Sequence, residues 1–144
     1  MPMGLNNNDI FFLSGVFMSH PTVAFLQAFS DALNNHDIDA VMDMMTDDCV
    51  FNAVAGPEVQ GKSFVGQTEV RQGLEAAWKN APDACWVDGV YHVVGDRGFT
   101  ESTYKGTAKD GARTEARMID VFIFRNGKIA VKNAFRKNRP PVNG

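Results

Sequence analysis

The chain has 144 residues, of which 44% are hydrophobic and 22% are charged, and its formal net charge is −3. These values are typical of a soluble globular protein, and the length suits one domain with a sizeable core. Acidic and basic residues are interspersed, so the sequence offers no basic surface for nucleic acid. We expect no nucleic-acid partner, and we expect the basic cluster at residues 136–139 to be a solvated terminus.

The two cysteines, Cys49 and Cys85, are far apart and match neither a CxxC motif nor a zinc-ligand spacing. Each lies among apolar neighbours, which favours buried free thiols and a cytoplasmic location.

Residues 1–20 lack the basic start of a signal peptide and are too interrupted for a membrane span, so no membrane partner is expected. They are predicted to be a peripheral or poorly ordered extension, unless translation begins at Met18. The domain then covers residues 21–137 and the tail residues 138–144.

Three helices are predicted. The first begins near Pro21 and carries apolar residues four positions apart. Asp37 is expected to cap a short second helix, which meets the first at a corner. A third helix is predicted over residues 67–80, after a loop at residues 58–66.

The remaining segments are predicted strands: residues 49–54, 85–94, 99–108, 113–125 and 128–136. The dipeptides Asn126-Gly127 and Asp110-Gly111 favour tight hairpin turns between the last three of them. The order is helix, helix, strand, helix and then a four-stranded antiparallel meander. It predicts one α+β domain with its helices on one face of the sheet.

Asp120 is the acid in the apolar run of residues 118–124. Burying a carboxylate there is costly unless the group is used or satisfied. A regular ladder from the Asn126-Gly127 turn pairs Asp120 with Asn133 and Met118 with Phe135. One face of the hairpin then holds Met118, Asp120, Phe122, Phe124, Ile129, Val131, Asn133 and Phe135.

The opposite face holds Ile119, Val121 and Ile123, with Lys132 and Arg136 towards its far end. Both faces of this strand are therefore apolar, whereas an antiparallel sheet usually has one wet face. Helices cover one face, and a second copy of the chain is the simplest cover for the other. We predict a homodimer through the Ile119, Val121 and Ile123 face.

The neighbouring strand is less determined. A regular turn at Asp110-Gly111 brings Glu101 opposite Asp120, which would place two carboxylates side by side. A one-residue bulge instead puts Thr100, Ser102 and Tyr104 on the Asp120 face. The sequence leaves both registers open.

Three stretches in this order resemble the SnoaL-like branch of the nuclear transport factor 2-like superfamily, which includes ketosteroid isomerases and polyketide cyclases. They are FLQAFSDALNNHDIDAVMDMMTDDCVF, QGKSFVGQTEVRQGLEAAW and MIDVFIFRNGKIAVKNAF. The resemblance covers roughly residues 21–136. It implies a cystatin-like cone, in which a curved antiparallel sheet and three helices enclose an apolar pocket, and a dimeric protein.

The resemblance transfers only in part to single residues. Asp120 matches the oxyanion-hole acid of ketosteroid isomerases and falls where SnoaL-like cyclases can carry an acid or base. The isomerase tyrosine on the first helix falls at Phe29, which has no hydroxyl. The isomerase base falls at Asn52-Ala53, which cannot take up a proton. The resemblance therefore argues against a steroid isomerase.

The candidate catalytic residues are Asp120 and His92. Asp120 is either an acid–base group or a carboxylate satisfied within the fold. His92 faces inward if its strand alternates regularly, and is otherwise a hydrogen-bonded sheet residue. The candidate ligand-binding residues are Asn52, Met118, Phe122, Asn133, Phe135, Phe29, Trp78 and Trp86. Core packing is the alternative for the apolar ones, and a hydrogen bond to strand-end backbone is the alternative for Asn52.

No sequence motif indicates a metal or nucleotide cofactor, so we expect none. Three functions remain open. The chain is a cofactor-free isomerase, cyclase or hydratase acting on an apolar carbonyl compound, a non-catalytic protein that binds an apolar small molecule, or a dimeric assembly domain.

Overall fold

The computed structural model describes residues 10–13 and 16–142, with side chains from His20 onward. The strands β1 (Ile10–Leu13) and β2 (Val16–Ser19) form an antiparallel pair of their own. The predicted extension at residues 1–20 therefore falls partly outside the described residues. Its peripheral or poorly ordered character stays a prediction.

Three helices follow: α1 (Val23–Asn34), α2 (Ile38–Asp43) and α3 (Gly66–Asn80). The Thr22 hydroxyl accepts a hydrogen bond from the Phe25 amide at 3.2 Å, so α1 begins later than predicted from Pro21. The Asp37 carboxylate accepts one from the Ala40 amide at 3.2 Å and caps α2, as the sequence predicts.

Six strands form the main sheet: β3 (Met45–Asn52), β4 (Ser63–Val65), β5 (Cys85–Val94), β6 (Arg97–Thr107), β7 (Arg113–Arg125) and β8 (Lys128–Arg136). Their order is β4-β3-β8-β7-β6-β5, and β3 runs parallel to β8 while the other pairs are antiparallel. The meander from β5 to β8 confirms the prediction. The strand β4 lies where the sequence predicts only a loop.

The sheet is curved and unclosed, and the three helices cover its inner face. Buried apolar residues from α1, α2, α3 and the inner face form one core. The α+β cone is therefore confirmed. At the tail, the Val142 amide donates to the Arg113 carbonyl at 2.8 Å, so this segment still pairs with the start of β7.

The register between β7 and β8 differs from the prediction. Arg125 pairs with Lys128 and Phe124 with Ile129, but Ile123 then pairs with Val131. β8 thus advances by two residues where β7 advances by one, and this irregularity is a β-bulge. Beyond the bulge every β8 side chain exchanges faces relative to the regular ladder.

The consequence falls on the partners of Asp120. Asp120 pairs with Ala134, and Lys132 pairs with Phe122 on the same inner face. Asn133 pairs with Val121 and Phe135 pairs with Ile119, so both lie on the outer face. The predicted pairs Asp120–Asn133 and Met118–Phe135 are wrong, because a regular ladder cannot account for the bulge.

The register of β6 follows the bulged alternative. Thr100 pairs with Asp120 and Ser102 with Met118, whereas Glu101 pairs with Ile119 on the outer face. Both hydroxyl residues are buried, with exposures of 6% and 2%. Asp120 therefore has hydroxyl side chains as sheet neighbours, and no second carboxylate lies opposite it.

Candidate functional site

Asp120 and Lys132 form an ion pair inside the domain. The Lys132 Nζ donates to Asp120 Oδ1 at 2.9 Å, and the two side chains are 4% and 5% exposed. The Lys132 ammonium also lies 4.8 Å from the centre of the Phe51 ring. Since the ammonium stabilises the ionised carboxylate, Asp120 is the acceptor in a charged pair here. A neutral acid of the ketosteroid isomerase kind does not fit this arrangement.

A cavity of about 310 Å³ lies between α3 and the inner face of the sheet. Most of its wall is apolar, and Lys132 forms part of that wall. Its lining residues are Phe51, Ala53, Val54, Phe64, Gly73, Ala76, Ala77, Asn80, Trp86, Tyr104, Met118, Lys132, Ala134 and Arg136. The volume is at the lower end of the range for small-molecule sites.

A second, much smaller cavity of about 10 Å³ lies beside Asp120. A cavity of this size has room for at most about one water molecule. The cavity is lined by Leu26, Phe29, Ser30, Leu33, Trp86, Thr100, Ser102, Asp120 and Phe122. Asp120 thus borders a small chamber with three hydroxyl side chains, while its partner Lys132 borders the larger apolar cavity.

Trp86 borders both cavities, and Asn34 at the end of α1 holds its backbone. The Asn34 amide nitrogen donates to the Trp86 carbonyl at 2.9 Å, and the Trp86 amide donates to Asn34 Oδ1 at 2.7 Å. The Trp86 Nε1 and the Ser102 hydroxyl are buried without a hydrogen-bond partner among the described residues. Such groups are costly to bury, so the wall between the cavities retains unused hydrogen-bonding capacity.

Aromatic rings form one end of the larger cavity. Phe51 of β3 and Phe64 of β4 stack with ring centres 5.7 Å apart. The Phe64 ring packs directly on α3 at Gly73, where an added Cβ would lie 2.9 Å from the ring. A larger residue at position 73 would therefore push the ring aside and change the shape of the cavity.

Tyr104 and Arg136 line the same cavity as Lys132. The Arg136 guanidinium lies 4.9 Å from the centre of the Tyr104 ring. Burial raises the pKa of the Tyr104 phenol, and the positive charge of Arg136 partly opposes that shift. The phenol is therefore a neutral hydrogen-bonding group at physiological pH.

The sequence model of the SnoaL-like domain family matches residues 26–132, which hold β3 to β7 and most of β8. The chain belongs to the SnoaL-like domain family. This membership confirms the family that the three sequence stretches predict. Among curated proteins, none matches the chain significantly.

Solved structures show the same fold at low sequence identity. A candidate polyketide cyclase from Xanthomonas campestris pv. campestris is 19% identical, with 78% of this chain and 87% of that one covered and a TM-score of 0.69. A hypothetical protein with a ketosteroid isomerase-like fold from Catenulispora acidiphila, in complex with trimethylamine, is 16% identical over 80% and 86%, with a TM-score of 0.69. TerC, co-crystallised with polyporic acid, is 16% identical over 78% and 88%, with a TM-score of 0.66.

These relatives establish the fold of this SnoaL-like domain, and two of them carry small molecules. Among the described residues, no three His, Cys, Asp or Glu side chains are grouped so that they could hold a metal ion. In the same part of the chain, no helix is both long enough and apolar enough to cross a membrane.

Several predicted site residues lie on the inner face of the SnoaL-like domain. Met118 and Trp86 line the larger cavity, and Phe29 and Phe122 line the small chamber beside Asp120. Phe29 and Phe122 are each 1% exposed and pack edge to face at 5.6 Å, so they are core residues as well. Trp78 is buried on α3 and stacks on His36 at 4.8 Å.

The other predicted site residues lie on the outer face, away from Asp120. His92 pairs with Phe99 and is exposed, because a bulge after Val87, where Asp88 has a φ of 56°, interrupts the alternation of β5. Of the two alternatives for His92, the structure therefore shows the sheet residue and not the inward one. The bulge leaves Tyr91, opposite Thr100, as the inward residue.

Asn52, Asn133 and Phe135 were predicted to bind ligand, but they too lie away from the inner face. Asn52 pairs with Asn133 across β3 and β8, and its Oδ1 accepts a hydrogen bond from the Ser63 hydroxyl at 2.7 Å. Phe135 is 51% exposed on the outer face. The bulge in β8 accounts for the changed positions of Asn133 and Phe135.

Sequence reasoning missed Lys132, which it placed on the outer face. A signal was present, since a lysine within IAVKNAF is as costly to bury as an acid within an apolar strand. Two lone opposite charges on adjacent buried strands indicate a pair. Only the position of the bulge brings them to the same face.

Proposed function

We propose that this SnoaL-like domain acts on an apolar small molecule that carries a carbonyl group, as a cofactor-free enzyme of the isomerase or cyclase type. The observation that carries the proposal is the Asp120–Lys132 ion pair beside an apolar cavity of about 310 Å³. Burying two charges is expensive, so an ion pair kept in the wall of an apolar cavity is a candidate functional group.

The apolar and polar parts of the cavity wall suit different parts of such a ligand. The Phe51 and Phe64 rings, Met118 and Trp86 suit a planar apolar body. Lys132 suits a carbonyl oxygen, which it would hydrogen-bond. A negative charge that develops on that oxygen during enolate formation would be stabilised most in such a water-poor site.

Asp120 has a supporting position in this mechanism. It is the only buried carboxylate among residues 20–142, and Lys132 is its ion-pair partner. It fixes the ammonium in place and is the nearest acceptor for a proton that leaves Lys132. The structures of relatives with polyporic acid and with trimethylamine support a small-molecule role for the same fold.

The test combines ligand binding with turnover. In a Trp78→Phe background, Trp86 is the remaining tryptophan, and its fluorescence reports occupation of the larger cavity. A panel of aromatic ketones and quinones is then screened for binding and for spectral change on turnover. Lys132→Met should leave apolar binding largely intact and lower turnover by about 100-fold or more, the usual cost of one oxyanion donor. Asp120→Asn should also abolish turnover while binding survives.

Lys62→Met is the matched control. Lys62 lies 5.1 Å from the centre of the Phe64 ring, much as Lys132 lies over Phe51, but it is exposed. Loss of a lysine over this aromatic stack is thereby separated from loss of the buried pair. Equal turnover in Lys132→Met and in the unaltered protein would refute the catalytic proposal.

Non-catalytic binding is the second candidate, and two positions favour it. Phe29 and Ala53 occupy the places of the isomerase tyrosine and base, and Ala53 lines the larger cavity without a titratable group. Binding of panel compounds without turnover of any of them would select this candidate.

We also propose that the protein is a homodimer through the outer face. Ile119, Val121 and Ile123 lie there half-buried, and Phe135 is 51% exposed beside a groove of about 470 Å³. Apolar surface of this kind on an antiparallel sheet needs a cover. Phe135→Glu should yield monomers by sedimentation at micromolar concentration, whereas Val59→Glu, on a fully exposed loop position, should not. A monomeric unaltered protein would refute the dimer.

A further inference from the structure

Lys132 differs from the other lysines of the chain. The remaining six, Lys62, Lys79, Lys105, Lys109, Lys128 and Lys137, are exposed, whereas Lys132 is 3% exposed. Its ammonium lies between the Asp120 carboxylate at 2.9 Å and the Phe51 ring, in the wall of the larger cavity. An exposed lysine is a hydrated cation, but this one has been taken out of water next to a proton acceptor.

Lys132 has a proton acceptor in direct contact, since its Nζ lies 2.9 Å from Asp120 Oδ1. Transfer of one proton to Asp120 converts the two buried charges into two neutral groups, so the step leaves no unpaired charge in the cavity wall. A ligand that fills the apolar cavity excludes water from this step. A neutral lysine amine in an apolar pocket is a nucleophile towards carbonyl carbon.

We propose that Lys132 forms a Schiff base with aldehyde or ketone ligands in the 310 Å³ cavity. The proposal rests on the proposed function in one respect, namely that the cavity admits carbonyl compounds. It adds a covalent step that hydrogen bonding to an enolate does not need. The ligand class is an apolar aldehyde or ketone, and the reacting atom is the Lys132 Nζ.

The step balances without any further reagent. The Lys132 ammonium passes a proton to the Asp120 carboxylate, and the freed amine attacks the carbonyl carbon. A C–N bond forms, the C=O π bond breaks, and one proton passes from the new cationic nitrogen to the oxygen, which gives a neutral carbinolamine while Asp120 stays protonated. Asp120 returns a proton to the hydroxyl, the C–O bond breaks and water leaves. The protonated imine that results keeps one positive charge opposite the Asp120 carboxylate, as in the free protein.

The experiment traps the imine by reduction. The full chain is incubated at neutral pH with benzaldehyde and sodium cyanoborohydride, and peptide mapping measures benzylation at each lysine. We expect Lys132 to be labelled at least about tenfold faster than Lys62, because a water-exposed ammonium is a poor nucleophile. Lys132→Met should remove the fast label, Lys62→Met should retain it, and Asp120→Asn should slow it.

The unaltered protein alone decides the question even if a variant fails to fold, because labelling of Lys132 is compared with labelling of Lys62 in one sample. Quenching of Trp86 fluorescence in the Trp78→Phe variant measures non-covalent binding of benzaldehyde. Binding without preferential labelling of Lys132 would overturn the Schiff base and leave the proposed function standing. If benzaldehyde neither binds to the protein nor labels Lys132, both the Schiff base and the proposed function are contradicted.

Discussion

The Asp120–Lys132 pair makes the sharpest prediction about stability. Removing one partner of a buried ion pair leaves the other charge without compensation, which costs about 3–5 kcal/mol. The full magnitude applies here because the two side chains are only 4% and 5% exposed, so solvent screens them little. We therefore expect Asp120→Val and Lys132→Met each to lower the free energy of unfolding by that amount. For a chain of this size, the melting temperature should fall by roughly 6–20 °C.

The double variant separates the pair from the packing around it. Replacing both partners by apolar groups removes two desolvation costs together, and such exchanges are often neutral or stabilising by about 1–4 kcal/mol. Asp120→Val with Lys132→Met should therefore be markedly more stable than either single variant. The measurement is urea unfolding followed by circular dichroism, at one protomer concentration so that self-association does not shift the midpoints.

The coupling energy from the double-mutant cycle is the decisive quantity. Direct ionic contact at 2.9 Å predicts a coupling well above 1 kcal/mol. An energetic role for the ion pair is refuted if the two single effects simply add, within about 0.5 kcal/mol, to the effect of the double variant. In that case the two charges would not depend on each other in the folded protein.

Three further predictions concern groups outside the pair. Burial raises the pKa of the Cys49 thiol, so a disulfide reagent at neutral pH should modify half-buried Cys85 first and reach Cys49 only on unfolding; equal rates would contradict the structure. Burial also raises the pKa of Tyr104. The phenolate absorbance that is lost in Tyr104→Phe should therefore appear only above a pH of about 10. A lower midpoint of this titration would show that water reaches the cavity. The hydrogen bonds from Thr107 lower the pKa of Asp83 in the folded protein. The contribution of Asp83 to stability is therefore present above its unfolded pKa and is lost as the pH falls through its folded pKa. The difference in urea midpoint between the unaltered protein and Asp83→Asn should shrink below a pH of about 4.

Much of the fold was predictable because its signals are local. Apolar spacing indicates the helices, Asp37 caps α2 as expected, and Asn126-Gly127 forms the hairpin between β7 and β8. Each of these depends on residues close together in the chain, and backbone preferences then favour one conformation. The same local reasoning identified Asp120 as a buried acid, with an exposure of 3%.

The site was predicted only in part, because its partners are set by register. Met118 and Trp86 line the larger cavity, whereas His92 and Asn133 lie on the outer face. Bulges in β5 and β8 account for both positions. One extra residue exchanges the faces of all residues beyond it, and the strands are apolar on both faces there, so the hydrophobic pattern does not oppose the shift.

The sequence by itself determined that this chain forms a SnoaL-like cone and that one acid lies in its apolar interior. Only the tertiary structure decided which group meets that acid. The bulge in β8 brings Lys132 to the inner face and takes Asn133 away from it, so the carboxylate has an ammonium as its neighbour and not an amide. Helices and turns follow from short-range preferences, whereas the position of a bulge follows from packing across the whole sheet.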